Sequence, residues 1–480
     1  MINNAATALK LTLKDVKIDV SDTGKNTGYP WTSDEGKAAL SVQGKGNVEI
    51  ELDGNNELKS GPHRAGLEKN TSTSTGTLTL KDDNNEAGSL TATGGDWGAG
   101  IGNGGYYGNS DNRSGENITI TGGTVTATGG WGGAGIGGGD YGSGKNITIN
   151  GGTVTATGGE EGAGIGGGYY YGNGYYGNGE NIKITDGTVN ATGGWGGAGI
   201  GGGGGGGNGA GGNGKNITII GGTVTAGGGY RGAGIGGGIS GSGKNITITG
   251  GTVNADGGTN AAGIGGGATG SGSNVTVSGA AQVTAIAGKS NGYYGAGATI
   301  GNGGDFTGSE NVDGKEIQAD ISRVTTGYIH HIIYDPALVS EDNPLGIVRE
   351  WWEPERPQPN PEDPNAPAEE SNEVDLGTPL LHVETLEGSL LPFDARRQGS
   401  TLRVTSNTLA ARLHGTRQAL EALQEQGVEQ IQFVTSFKTT TLSVAELLAE
   451  GGSWFALEHN GLVSRQLSAA QAESLKCRMR

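Results

Sequence analysis

The sequence predicts a mainly β protein, a parallel β-solenoid of about nine three-sided coils followed by a small C-terminal α+β domain. The first observation is a glycine-rich unit that opens on an asparagine and recurs at spacings of 29, 35, 35, 29 and 29 residues, at Asn117, Asn146, Asn181, Asn216, Asn245 and Asn274. The second is that each unit contains two short segments in which apolar and polar residues alternate, as in strands with one buried face. A unit this short buries too little apolar surface to fold alone, so successive units must stack.

Each unit has three segments separated by glycine, which in the second unit are "NITIN" from Asn146, "TVTAT" from Thr153 and "GAGIGGG" from Gly162. In the first unit the alternation predicts that Ile118, Ile120, Val125 and Ala127 point inward and that Thr119, Thr124, Thr126 and Thr128 point outward. The third segment has one large side chain, Ile136 in the first unit, which predicts that backbone lies directly against backbone there. The opening asparagines are candidates for a ladder of side-chain hydrogen bonds to one another or to the turns.

The solenoid is predicted in three parts. Residues 1–75 form irregular N-terminal coils, because "LKLTLKDVKIDV" at 9–20 alternates without the glycine-rich segment. Residues 76–320 form the regular glycine-rich coils, and residues 321–340 supply a C-terminal cap strand. Solenoids need such caps because each coil is satisfied only by its neighbours.

Two further segments follow the solenoid. Residues 341–379 are rich in proline and carry eleven acidic residues against two arginines, a net charge of −9, which predicts an extended linker. Residues 380–480 are predicted to form the small α+β domain, with a helix that Thr416 caps and Gly427 ends. This domain shows no arrangement of residues that indicates catalysis, and an accessory or assembly role is expected.

Composition excludes several classes of protein. The formal net charge of −18 argues against a nucleic-acid partner, because lysine and arginine supply most of that affinity. No apolar run is long enough for a transmembrane helix. Cys477 is the single cysteine, so the chain contains no internal disulfide. The first twenty residues lack the pattern of a secretion signal, and nothing in the sequence indicates an oligomeric state.

A candidate binding surface is a row of aromatic residues at the corner before the third segment. Five residues before successive core isoleucines lie Trp131, Glu160, Trp195, Tyr230 and Thr259, and Trp97 lies four residues before its isoleucine. Because equivalent residues of adjacent coils are about 4.8 Å apart, we expect these rings to form an exposed row that stacks on sugars. The alternative is that the rings only cover a glycine-rich corner.

A second candidate surface lies where the unit lengthens, always between the third segment and the next asparagine. Insertions in a solenoid collect on one face, which is often the binding face. The tyrosines of these insertions are Tyr106, Tyr107, Tyr169, Tyr170, Tyr171, Tyr175 and Tyr176. Tyrosine, glycine and asparagine are typical of adaptable binding loops. The alternative is that these rings pack on their own side of the solenoid.

Catalysis and ice binding are weaker alternatives. A glycoside hydrolase needs two carboxylates flanking the sugar, and the acidic residues of the repeats fall at different positions of the unit. A polysaccharide lyase needs a base beside a calcium cluster, and Arg231 has no such neighbours in the sequence. The outward threonines resemble an ice-binding array, but Asn190 and Asp256 interrupt it. We therefore expect no enzyme and no cofactor, with the acidic turns at 53–57 and 81–86 as weak candidates for a single Ca²⁺.

The segments "GSLTATGG", "GAGIGGG" and "NITITGGTVTATGG" resemble the glycine-rich repeats of large bacterial surface proteins that contain carbohydrate-binding domains. The resemblance covers roughly residues 8–320 and implies a right-handed parallel β-helix, related in shape to pectate lyases. It also implies a secreted or cell-surface location and a non-catalytic, adhesin-like role in binding polysaccharide or surface glycan. The alternative is a structural stalk that holds the C-terminal domain at a distance and binds no ligand.

Overall fold

The computed structural model describes the chain except for residues 25–34, 85, 106–113, 172–176, 207–210, 308–309, 336–337, 339–346, 355–380, 387–389, 392, 407, 409, 436–437, 461–462 and 476–480. Two compact units are present, Met1–Pro357 and Gln358–Arg480. The first unit is a parallel β-solenoid of nine three-sided coils in its described part, which confirms the predicted fold class. The second unit is a small, mainly β domain with three short helices among its described residues.

Each side of the solenoid is a parallel sheet to which every coil contributes a strand. The first side contains Leu9–Lys14, the start of Val48–Lys59, Leu78–Lys81, Gly115–Ile120, Gly144–Ile149, Gly179–Ile184, Gly214–Ile219, Gly243–Ile248 and Gly272–Val277. The second contains Lys17–Asp19, the end of Val48–Lys59, Gly88–Thr93, Thr124–Thr128, Thr153–Thr157, Thr188–Thr192, Thr223–Gly227, Thr252–Asp256 and Gln282–Ala287. The third contains Leu40–Gly44, Leu67–Ser74, Ile101–Gly102, Ile136–Gly137, Ile165–Gly166, Ile200–Gly201, Ile235–Gly236, Ile264–Gly265 and Ile300–Gly301.

Equivalent residues of successive coils pair in register, so each inward position becomes a continuous apolar column. Val125 pairs with Val154, and Ile136 pairs with Ile165. Ile118, Ile120, Val125, Ala127 and Ile136 are all 0% exposed, which confirms the predicted inward set. Burial of apolar area drives the stacking.

The opening asparagines form the expected ladder. The Nδ2 atom of each donates to the Oδ1 atom of the asparagine one coil earlier, over 3.0–3.1 Å, from Asn146→Asn117 through Asn274→Asn245. All six asparagines have φ between 52° and 57°, a left-handed conformation that asparagine tolerates better than most residues. The repeat therefore requires this residue type both for its backbone and for its amide.

Glycine on the third side is required by close backbone approach. Gly137 has a φ of 132°, and a Cβ there would overlap the carbonyl oxygen of Gly166 in the next coil. A Cβ on Gly133 would overlap the carbonyl oxygen of Gly98 in the same way. The prediction that backbone lies directly against backbone on this side is confirmed.

The second side continues beyond the ninth coil. Tyr328–Tyr334 pairs in parallel with Gln282–Ala287, and Ile347–Glu353 then pairs antiparallel with it. Trp352 stacks on His330 with ring centroids 3.8 Å apart, and Trp351 stacks on His331 at 4.4 Å. The strand Ile347–Glu353 lies within residues 341–379, the segment whose composition predicts a linker. Its two tryptophans stack on the histidine rings of the preceding strand, and this packing explains why a strand forms there.

The second unit contains two sheets. One has Leu390–Leu391, Leu381–Glu384, Ala410–Thr416, Trp454–Asn460 and Val463–Leu467 in antiparallel order. The other has Asp394–Gln398, Thr401–Thr405, Gln430–Val434 and Thr439–Ser443. The helices are α1 (Arg417–Glu425), α2 (Val444–Glu450) and α3 (Ala469–Leu475). Thr416 caps α1 as predicted, since its side chain accepts from the backbone N–H of Ala419.

Candidate functional site

The corner between the second and third sides carries the aromatic edge, which we define by Trp97, Trp131, Glu160, Trp195, Tyr230 and Thr259 together with the side chains that pack against them. The isoleucines that follow these residues pair coil to coil, from Ile101 through Ile264. Backbone bonds also join the turns, since the N–H of Arg231 donates to the carbonyl of Trp195 over 3.0 Å. The edge is therefore a set of neighbouring turns, one from each coil.

The first half of the edge, which we call the packed half, consists of Trp97, Trp131, Tyr169 and Asp140. The Trp131 ring lies between the other two, with centroids 4.4 Å from Trp97 and 5.1 Å from Tyr169. Trp97 is only 5% exposed. Gly132 leaves room for this packing, since a Cβ there would stand 3.2 Å from the Cβ of Tyr169 and 3.3 Å from that of Asp140.

Asp140 is buried in the packed half. Neither of its carboxylate oxygens has a hydrogen-bond partner among the described residues. Burial without such partners disfavours the charged form, and it raises the pKa of Asp140 well above the usual range. The surroundings of this carboxyl group therefore favour its protonated form over its charged form.

Two residues predicted to lie on an exposed surface are instead buried. The expectation of an exposed row is wrong for Trp97, which Trp131 covers. For Tyr170, of the second candidate surface, the structure agrees with the alternative that the ring packs on its own side of the solenoid, since it is 8% exposed and packs edge-on against Tyr141 at 5.0 Å. Tyr106, Tyr107, Tyr175 and Tyr176 lie outside the described residues, as does the side chain of Tyr171.

The second half of the edge, which we call the open half, consists of Trp195, Tyr230, Arg231 and Tyr294. The Trp195 and Tyr230 rings stack at 5.5 Å with 22° between their planes, and they are 43% and 41% exposed. The guanidinium carbon of Arg231 lies 5.5 Å from the Trp195 centroid and 4.9 Å from that of Tyr294. Arg231 makes no ion pair within the described part of the chain, and its charge is instead stabilised by cation–π interactions with aromatic faces.

Sequence reasoning missed the contribution of the last coil to this surface. Tyr294 contacts Arg231, and its neighbour Tyr293 is 56% exposed and stacks on Phe306 at 4.4 Å. The letters "SNGYYGAG" at 290–297 repeat the tyrosine pair of the earlier insertions, which was the available signal. The insertion falls after a different segment of its coil, so it did not align with the others.

A pocket of about 260 Å³ opens beside Tyr230. Its side chains are those of Tyr230, Asp256, Thr259, Lys289 and Tyr334, and the rest of its wall is glycine. Desolvation raises the pKa of Asp256 to about 6, although its side chain still reaches solvent at the mouth of the pocket. Burial and the charge of Asp256 together raise the pKa of Tyr334. The pocket thus offers an aromatic face, hydroxyl groups, an amine and a carboxyl group.

Glu161 lies between the two halves. Its Oε2 atom occupies the space next to Gly196 and Gly204 and has no hydrogen-bond partner among the described residues. Desolvation, helped by the neighbouring Glu160, raises the pKa of Glu161 to about 7. Glu160, which holds the position of Trp131 and Trp195 in its own coil, interrupts the line of rings between them, and Glu161 lies next to it in the chain.

The acidic turns suggested for calcium have protein partners for their oxygens. Asp53 accepts from the amide of Asn84 over 2.7 Å. Lys81 pairs with Asp83 at 2.9 Å and with Glu51 at 3.0 Å. These contacts use carboxylate oxygens that a calcium ion would need, so the geometry does not favour a calcium site there.

A family model described as a β-helix repeat matches five successive coils, at residues 118–140, 147–169, 182–204, 217–239 and 246–268. Together with the stacked parallel sheets, these matches support a β-helix repeat fold for the solenoid. No curated protein and no solved structure gives a significant match. None of the helices in the described ranges has the length and apolar character needed to span a membrane.

Proposed function

We propose that this β-helix repeat protein binds a polysaccharide or another surface glycan, without catalysis, along the open half of the aromatic edge. The observation that carries the proposal is the stacked, exposed pair of Trp195 and Tyr230. Large aromatic rings provide rigid contact area at a low cost in conformational entropy. The two stacked rings cover part of each other and leave the rest of their apolar area exposed, where the apolar face of a sugar can pack.

Polar groups around the rings supply the rest of a sugar site. Ligand sites typically combine aromatic walls with a few placed polar groups. The guanidinium carbon of Arg231 lies 5.8 Å from the centroid of the Tyr230 ring, and Tyr230 also lines the pocket that contains Asp256, Thr259 and Lys289. Arginine and lysine donate to sugar hydroxyls or to the carboxylate of an acidic sugar, and Asp256 accepts from hydroxyls.

The proposal includes an extracellular or cell-surface location and an adhesin-like role. Its support is the likeness of the repeats to those of bacterial surface proteins. A rigid solenoid holds its aromatic edge in place without any help from the ligand, which suits capture of a long, repetitive chain. A structural stalk that binds nothing is the alternative.

Retention on a panel of insoluble and soluble polysaccharides tests the proposal. The full chain should be retained by at least one of them, and Trp195→Ala with Tyr230→Ala should weaken that retention at least tenfold. Ile220→Ala is the matched control, because Ile220 is 42% exposed on the same coil as Tyr230 but lies away from the aromatic edge. Equal retention of the double variant and the wild-type chain would contradict glycan binding at this edge, and the structural stalk would remain as the proposed role.

Polysaccharide cleavage is a second candidate function, favoured by one observation. A carboxyl group with a pKa near 6 in a pocket that also holds Lys289 and Tyr334 has the features of an acid–base residue. Release of reducing ends or unsaturated sugars from a retained polysaccharide, lost in Asp256→Asn, would establish it. Absence of both products with full retention would support binding alone.

A further inference from the structure

The second unit contains a cluster of three ligand-type side chains on one face of its five-stranded sheet. Leu381–Glu384 pairs antiparallel with Ala410–Thr416, so that His382 lies opposite His414 and Glu384 lies opposite Arg412. Alternation along a strand places residues two apart on the same face. His382, Glu384, Arg412 and His414 therefore share one face.

The three candidate ligands converge. Nε2 of His382 is 3.4 Å from Oε2 of Glu384, and Nδ1 of His414 is 3.7 Å from Oε1 of the same carboxylate. All three ligand atoms lie within 4.8 Å of one another. The residues are 8%, 1% and 0% exposed in chain order, so the cluster is shielded from water.

Two ring nitrogens in this cluster lack hydrogen bonds. Neither Nε2 of His382 nor Nδ1 of His414 has a hydrogen-bond partner in the part of the chain that the structure describes. The other ring nitrogen of His414, Nε2, lies 3.1 Å from the carbonyl oxygen of Ala472 in α3. A carbonyl only accepts, so Nε2 carries the proton, and a neutral His414 ring directs a bare lone pair at the Glu384 carboxylate.

A lone pair and a carboxylate that face each other repel, and either a proton or a metal ion between them removes the repulsion. Arg412 does not fill that place, because its Nη1 atom bonds Oε1 of Glu384 at 2.6 Å while its Nε and Nη2 atoms bond Glu458. It holds the carboxylate in a fixed orientation. The charges of Glu384, Glu458 and Arg412 sum to −1, which leaves the cluster able to accept a divalent ion.

We propose that His382, Glu384 and His414 bind a divalent first-row transition ion of the Zn²⁺ type. Two imidazole nitrogens and one carboxylate oxygen match the preference of such ions, whereas Ca²⁺ and Mg²⁺ prefer all-oxygen sets. Ala472 and Arg412 orient the ligands from outside the cluster, as hydrogen-bonded neighbours do in metal sites. The ion would join two strands of the sheet under α3.

Metal content of the full chain tests the proposal. Protein stripped with a chelator, loaded with ZnSO₄ and dialysed should retain one zinc per chain by elemental analysis, and His382→Gln and His414→Gln should each retain less than about a tenth of that. His459→Gln is the matched control, because His459 is buried in the same unit but bonds Thr435 and Thr440 at 3.0 Å through its two ring nitrogens. It should retain one zinc.

Cobalt loading tests the metal site in the wild-type chain itself, so the result does not depend on whether a variant folds. Co²⁺ should give a ligand-field spectrum of a low-coordinate nitrogen and oxygen site, and Zn²⁺ should abolish it by competition. A wild-type chain that retains neither ion after dialysis would overturn the proposal and leave a proton shared between histidine and Glu384. Equal zinc in the wild type and in folded His382→Gln and His414→Gln would overturn it as well.

Discussion

The packed and open halves of the aromatic edge come from the same repeat, yet their rings have different surroundings. Trp97 is 5% exposed, whereas Trp195 is 43% exposed on an equivalent turn three coils later. In the packed half, large side chains from consecutive coils meet, namely Trp97, Trp131 and Tyr169. In the open half, Gly196 and Gly204 contribute no side chain, and the Glu161 carboxylate lies where their side chains would be. Among the described residues, the Trp195 ring therefore has only Tyr230 and Arg231 against it.

The comparison teaches that position in the repeat decides which edge a ring occupies, while the residues of adjacent coils decide whether it is exposed. The packed half stabilises the solenoid through buried aromatic area. The open half leaves similar area in contact with water, which is typical of a binding surface.

The largest expected difference between the halves is in stability. Trp97→Ala should lower the free energy of unfolding by about 3–5 kcal/mol, because it leaves a cavity under Trp131. Trp195→Ala should lower it by less than about 1 kcal/mol, because its ring is exposed. Urea unfolding followed by circular dichroism measures both. Equal losses would mean that the two halves do not differ in packing.

The next effect is the pH dependence of the packed half. The folded-state pKa of Asp140 lies above its unfolded value, so the folded state loses stability as pH rises from about 4. Asp140→Asn should remove this loss and raise the free energy of unfolding at pH 7 by about 1–3 kcal/mol, with little change at pH 4. Glu57→Gln, at an exposed carboxylate on the second side of the solenoid, is the control and should change neither value. A destabilised Asp140→Asn at pH 7 would contradict a neutral Asp140.

Glu161, between the halves, should show a smaller effect in a defined window. The folded-state pKa of Glu161, about 7, exceeds its usual value of 4.5. The folded state therefore loses stability as pH rises from roughly 4.5 to 7, because burial opposes ionisation of this carboxyl group. Glu161→Gln should flatten that part of the pH profile and gain about 1–2 kcal/mol at pH 8. Thermal unfolding at a series of pH values measures the gain, and a parallel profile for wild type and variant would contradict it.

The smallest effect on stability is expected at Gly227, which pairs with the pocket residue Asp256. A Cβ there would meet no atom within 4 Å, and Thr192 holds the equivalent position one coil earlier. Gly227→Thr should change the free energy of unfolding by less than about 0.5 kcal/mol. It should nevertheless weaken glycan binding several-fold, because it adds a side chain beside Asp256, with which Gly227 pairs on the adjacent strand. Asn190→Thr, elsewhere on the same outward face, is the control and should leave glycan binding unchanged. Equal binding by the two variants would show that the pocket is not part of the glycan site.

Much of the solenoid was predictable because its order is local and periodic. Alternation placed Ile118 and Val125 inside, and the recurring asparagine indicated the ladder. The same regularity located Trp195 and Tyr230 on one edge. It did not separate exposed rings from buried ones, because burial of Trp97 depends on Trp131 in another coil.

Contacts between irregular segments were not predictable. Arg231 gains its third aromatic neighbour from Tyr294, in an insertion that does not align with the repeat. In the second unit, "LHVE" and "RLHG" carry alternating ligand-type residues, but their convergence depends on which strands pair. Strand pairing between distant segments cannot be predicted from either segment alone.

Tryptophan fluorescence during titration with a soluble oligomer of the retained glycan tests the central claim most directly. Trp195 is the exposed indole of the open half, whereas Trp131 packs between rings. We predict that the ligand changes the emission of the wild-type chain and of Trp131→Phe, and that Trp195→Phe loses this change. An undiminished response in Trp195→Phe, or a response lost in Trp131→Phe, would contradict binding at the open half.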